Sequence, residues 1–224
     1  MGKALGMKSV LKTFLVGAAL CTITLSSASA EIFYVEDQGN RFSLSFPDLW
    51  AVTQNQKPDD KLTVTGPGEY KFANCRVRVR EDRRYLIYPR KFASSVQKVA
   101  YSKQFWDEYL GEYDDVTLQS VTDGAGLGQG FATYAEATFT TAENPIVHKR
   151  AIMFASLYYD NAYIVECSTE QTVYDQWRPA FLSIVKSVDF TRTTAIYPSG
   201  HYRKFLNDPE LIINGPNKLD SDHF

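Results

Sequence analysis

Residues 31–47 read EIFYVEDQGNRFSLSFP, and the periodicity of this stretch sets the architecture. Glu31 to Glu36 and Arg41 to Phe46 are short β-type runs separated by Asp37-Gln38-Gly39-Asn40. Gly and Asn both tolerate positive φ, so the spacer predicts a hairpin with Gly39 and Asn40 at its centre. In the second run Phe42, Leu44 and Phe46 alternate with Ser43 and Ser45. That alternation puts the three apolar residues on one buried face. Pro47 ends the run, and Trp50 follows.

The same reading extends outward. Residues 53–61 are polar and read as a loop, and Lys61 to Thr65 is a strand closed by Gly66-Pro67-Gly68. Cys75 to Glu81 alternates cleanly, with Cys75, Val77 and Val79 on one side and Arg76, Arg78 and Arg80 on the other. Phe92, Val96, Val99, Trp106 and Tyr109/Leu110 recur at helical spacing and predict one helix over 91–110, stopped by Gly111. Strands are expected at Val116 to Val121, Gly130 to Thr141, His148 to Tyr159 and Ala162 to Cys167, the last entered through an Asp160-Asn161 turn. A second helix fits 170–188, capped by Ser168 and Thr169. Its apolar face is Val173, Trp177, Phe181, Ile184 and Val188, and Pro179 should kink or split it. Strands, helix, strands, helix is the order of an α+β fold, a mostly antiparallel sheet packed with two main helices. Residues 191–224, with Pro198, Gly200, Pro209, Gly215 and Pro216, read as an extended C-terminal tail.

Residues 1–30 have the pattern of a cleavable signal peptide. Lys3, Lys8 and Lys12 precede an uncharged apolar core from Phe14 to Leu25, and Ala28-Ser29-Ala30 supplies the small-x-small cleavage pattern. Met7 is a second plausible start. Cleavage is expected between Ala30 and Glu31, which points to a periplasmic or secreted protein. Cys21 follows Leu20, a poor residue before a lipidated cysteine. Losing three lysines takes the formal charge from −2 to −5, unsuited to general nucleic-acid binding. No later run is long and apolar enough to span a bilayer as a helix. Two cysteines remain, Cys75 and Cys167, and an oxidising compartment makes them a candidate disulfide.

Catalytic patterns are missing: there is no HExxH, GxSxG, P-loop or EF-hand loop. The three histidines, His148, His201 and His223, have no ligand spacing, so no metal and no cofactor are expected. Gly124 to Gly130, GAGLGQG, lacks the GxGxxG spacing and precedes a strand, so it reads as a flexible turn. The arginine strand is the one candidate site. Arg76, Arg78 and Arg80, with Arg83 and Arg84 after them, could receive an anionic partner. The alternative is a face whose charges pair with Glu and Asp on neighbouring elements.

Phe42-Ser43-Leu44-Ser45-Phe46-Pro47, with Trp50 three residues beyond the proline, resembles the opening of PsbP-like and Mog1-like domains, the DcrB type included. The closing segment Ile184-Val185-Lys186-Ser187-Val188-Asp189-Phe190 fits the same plan, so the resemblance covers roughly 31–190. It implies an α/β/α sandwich and a protein that works by binding. Members include photosystem II accessory subunits, a nuclear-transport regulator and a bacterial envelope protein associated with phage uptake. The reading is an exported, non-enzymatic accessory or binding protein of the bacterial cell envelope, acting through protein contacts on an envelope protein or an anionic envelope component. The alternatives are a small-ligand or anionic-lipid binder with a pocket between sheet and helix, and an envelope enzyme.

Overall fold

The computed structural model describes residues 31–54, 57–68, 72–128, 130–141 and 146–191. The expected signal peptide with its expected cleavage residue Ala30, His201, His223 and all of the tail after Thr191 lie outside the described residues. Among the described residues ten strands form two sheets. They are β1 (Ile32–Asp37), β2 (Phe42–Pro47), β3 (Ala51–Gln54), β4 (Asp60–Thr65) and β5 (Asn74–Glu81), then β6 (Asp114–Leu127), β7 (Gly130–Thr140), β8 (His148–Tyr158), β9 (Asn161–Glu170) and β10 (Asp189–Phe190). The larger sheet has the order β3-β4-β5-β9-β8-β7-β6 and the smaller β1-β2-β10. Every neighbouring pair is antiparallel. The described residues also form four α-helices: α1 (Arg84–Ile87), α2 (Ala93–Ala100), α3 (Lys103–Tyr109) and α4 (Tyr174–Ser187). The α+β class read from the sequence is the class observed.

Period 2 divides the large sheet into two buried faces. On one, Val64, Cys75, Val77, Phe154 and Val165 meet the small sheet and α4 through Phe42, Leu44, Phe46, Trp50, Phe181, Val185 and Phe190. On the other, Met153, Leu157 and Ile164 lie beneath Tyr101, Trp106 and Leu110 from the α2–α3 layer. Helices therefore cover both faces. The alternating Phe42, Leu44 and Phe46 are all buried, as their spacing requires.

Several local expectations are corrected. The 91–110 helix is broken at Tyr101-Ser102 into α2 and α3. Its core-facing residues are Ala93, Gln97, Tyr101, Trp106 and Leu110; Phe92 and Val99 of the expected apolar stripe face out, 46% and 76% exposed. Gln97 decides this. Its Nε2 donates to the Ala155 carbonyl at 2.9 Å and its Oε1 accepts from the Leu157 N–H at 2.8 Å. Buried backbone groups need such partners, and that need overrode the apolar pattern. Ser168 and Thr169 belong to β9, and α4 starts after Val173 without a side-chain cap. Pro179 does not split α4. The carbonyl it leaves without a helical donor is that of Asp175, on the exposed surface.

The turns also differ. In the β1–β2 hairpin Arg41, not Gly39 or Asn40, adopts positive φ (57°). Asp37 explains the shift, because its carboxylate accepts from both the backbone N–H (2.9 Å) and the side-chain amide (2.7 Å) of Asn40. The β8–β9 turn is Tyr159-Asp160, with Tyr158 paired to Asn161 and Tyr159 at φ 58°. The two turns clasp: the Arg41 guanidinium lies 5.0 Å from the Tyr159 ring centre and pairs with Asp160. Part of the polar 53–61 segment is β3, a short edge strand where polar residues meet water. The glycine-rich segment is mostly strand as well. Gly124 (φ 89°) lies at a bulge in β6, and only Gly128 (φ 58°) of the described glycines there turns the chain.

Candidate functional site

β5 and β9 lie side by side near the middle of the large sheet, with Cys75 directly opposite Cys167. The two are bonded, with Cα atoms 4.0 Å apart. One step along the ladder, Arg76 stands opposite Glu166 on the other face. Period 2 thus turns one face of β5 into a disulfide and core, and the other into a row of cations.

The row does share one face, but that face is covered by α3 and the 3-10 turn Leu110–Glu112. The structure divides it. Arg76 and Arg78 are 13% and 15% exposed at the side chain. Arg76 Nη2 donates to Glu166 (2.8 Å), Glu112 (2.9 Å) and the Tyr113 hydroxyl (2.7 Å), and Nη1 faces Asp60 at 3.5 Å. Arg78 bonds Asp60 and Glu112 and lies 5.0 Å from the Tyr109 ring centre. Arg80 is exposed, with its guanidinium over Phe105 at 5.3 Å. Arg83 pairs with Glu81, and Arg84 with Asp82. Arg76 and Arg78 are joined in one polar cluster, while Arg80, Arg83 and Arg84 lie outside it.

Glu166 is the acidic centre of that cluster. The Tyr109 and Tyr113 hydroxyls donate to it at 2.7 and 3.0 Å, beside Arg76. Burial pushes its carboxyl pKa up, but the Arg76 charge and the Arg76 and Tyr109 bonds bring it down to about 2. Glu112 is likewise held below the usual range: burial raises it, and Arg76 and Arg78 outweigh that. The tyrosine hydroxyls are pushed up, by burial first and by Glu166 second.

Beside the cluster opens a cleft of about 470 Å³. Arg76, Glu166 and Glu112 line one part; Lys149 and Ser168 line another; Tyr113 and Phe139 form an aromatic wall, their rings stacked 3.9 Å apart. Lys149 is 7% exposed, and its ammonium donates to Ser168 Oγ at 3.3 Å. Burial lowers its pKa to about 8; Glu166 opposes the shift and Arg76 adds to it. Among the described residues no three His, Cys, Asp or Glu side chains converge as metal ligands would. His148 faces Thr140, its Nδ1 2.9 Å from the hydroxyl.

Reasoning from sequence overlooked Lys149 and Glu166. A strand lysine reads as solvent-facing, so Lys149 left no signal. Glu166 had one: it immediately precedes Cys167, and an antiparallel Cys75–Cys167 pairing sets it opposite Arg76.

A second surface lies beyond the row. Leu86, Ile87 and Tyr88 of the α1 region and Phe92 and Val99 around α2 are exposed, from 43% to 76%. Arg80 and Arg83 precede them in the chain and are exposed too. No helix among the described residues is long and apolar enough to cross a membrane.

The sequence matches no protein-family model and no curated protein. Solved structures do match. Cyanobacterial PsbP (CyanoP) from Synechocystis aligns with 74% of this chain and 95% of its own, at 14% identity and a TM-score of 0.48. LpqN of Mycobacterium tuberculosis, involved in cell envelope biogenesis, aligns with 73% of this chain and 92% of its own, at 10% identity and a TM-score of 0.45. A Bacteroides thetaiotaomicron protein aligns over 71% of this chain and 48% of its own, at 10% identity and 0.45.

Proposed function

We propose that this chain is an exported, non-enzymatic accessory protein of the cell envelope that works by docking a partner protein. The observation that carries the reading is the exposed apolar series Leu86, Ile87, Tyr88, Phe92 and Val99. Large apolar side chains exposed to water favour association, because contact removes them from water. The exposed Arg80, which has no carboxylate partner among the described ion pairs, makes an acidic group on the partner the favoured complement. The signal-peptide pattern of residues 1–30 and the Cys75–Cys167 bond support work outside the cytoplasm.

The test is site-specific photo-crosslinking in cells, with the reactive group placed at Ile87 or Val99 and, as a control, at Lys186 of α4. A discrete adduct from the first two positions, absent from the third and lost in a Leu86→Asp background, is the expected outcome. Adducts of equal yield from all three positions, or from none, would refute the docking surface.

A further inference from the structure

The cleft beside the arginine cluster is separate from the α1–α2 surface. Its lining carries three cations, Lys57, Arg76 and Lys149, and three carboxylates, Asp60, Glu112 and Glu166, but the hydrogen bonds among them are unevenly shared. Glu166 receives Arg76, Tyr109 and Tyr113; Asp60 receives Arg76 and Arg78; Glu112 receives Arg76, Arg78 and, at 3.8 Å, Lys57. Glu166 attracts the Lys149 charge, but among the described residues none of the three carboxylates accepts a hydrogen bond from Lys149. Lys149 is a buried cation with three N–H donors, and among the described residues its only hydrogen bond is the long one to Ser168. A buried ammonium with spare donors is costly unless something anionic meets it.

The cleft's shape says what kind of anion. About 470 Å³ is within the range of small-molecule sites. Ser168 and Asn74 add hydrogen-bonding groups near the lysine's end of the lining, and Asn74 already accepts from Ser168 at 3.4 Å. Tyr113, half-buried and stacked on the buried Phe139, offers an aromatic surface. Inorganic phosphate would leave that surface unused. We propose that this cleft binds a small organic carboxylate, its acid group on the Lys149 ammonium and its apolar body against Tyr113.

The probe is benzoate, with inorganic phosphate as the second arm, titrated into the full oxidised chain. Binding is followed by NMR of lysine side-chain carbons, with the Lys149 signal assigned through Lys149→Arg. Benzoate is expected to shift the Lys149 signal saturably and to raise the pH at which that lysine titrates, since a bound anion favours the charged form. Losing a charge-assisted bond should weaken benzoate binding to Lys149→Met roughly tenfold or more. A Lys149 signal that benzoate leaves unmoved would overturn the proposal, and so would equal affinity for Lys149→Met. Phosphate binding more tightly than benzoate would overturn the carboxylate assignment. The unsubstituted chain supplies the first readout, so the outcome does not depend on how the methionine variant folds.

Discussion

Replacing Lys149 with methionine should make this protein more stable, although it removes a hydrogen bond. Burial moves the Lys149 pKa from 10.5 to about 8. At about 1.4 kcal/mol per unit, a charged Lys149 costs the fold roughly 3 kcal/mol. Methionine keeps a long unbranched side chain without the charge. It forfeits the 3.3 Å contact with Ser168, worth about 1 kcal/mol, so the expected gain is about 2 kcal/mol near neutral pH. The gain should fade with alkali. Between pH 8 and 10.5 the unfolded chain keeps a proton that the folded chain has released, so the parent's stability rises across that window. The raised tyrosine pKa values act on both proteins and drop out of the difference. Urea midpoints for parent and Lys149→Met, at about pH 7 and about pH 10, measure both points. A variant no more stable than the parent at neutral pH would refute the reasoning, as would a gain undiminished at pH 10.

Other perturbations follow from the same geometry. Glu166→Gln leaves Arg76 and two tyrosine hydroxyls around a neutral group and should cost about 3 kcal/mol by urea unfolding. The carboxyl's folded pKa of about 2 lies below its ordinary 4.5, so its contribution is full above pH 4.5 and is lost as pH falls towards 2. A parent and a Glu166→Gln variant with the same acid midpoint would contradict this. Cys75→Ala/Cys167→Ala opens a bridge across 92 residues, whose closure entropy is about 4.5 kcal/mol; a drop of about 2–5 kcal/mol in unfolding free energy is expected. Gly128→Ala would place a Cβ 2.8 Å from the Phe190 ring at φ 58°, and a loss of about 2 kcal/mol should appear as a lower thermal midpoint.

How much of this was legible depended on which force decided each position. Phe42, Leu44 and Phe46 obey a two-residue period because burial alone places them, and the sequence displays that period openly. Cys75 and Cys167 were legible because two cysteines leave one pairing. The facing of α2 was not. Gln97 occupies the core side for its hydrogen bonds to β8, a need created by strands more than fifty residues away. The sequence left Arg76 and Arg78 between an open basic face and a paired one, because Glu112 and Tyr113 come from a 3-10 turn and the residue after it, far along the chain. Lys149 was hidden for a different reason. Its burial comes from the sheet and the elements stacked beside it, and nothing next to it in sequence reports that.

The β5–β9 bridge also works as a record of correct assembly. Cys75 and Cys167 are directly opposed only in one register. A slip of two residues would keep every side chain on its proper face, so burial alone discriminates weakly against it. Such a slip would set Cys75 across from Val165 or Thr169 and leave both thiols free. Oxidation therefore selects the one alignment in which Arg76 also meets Glu166, and a chain with two titratable thiols has not passed that check.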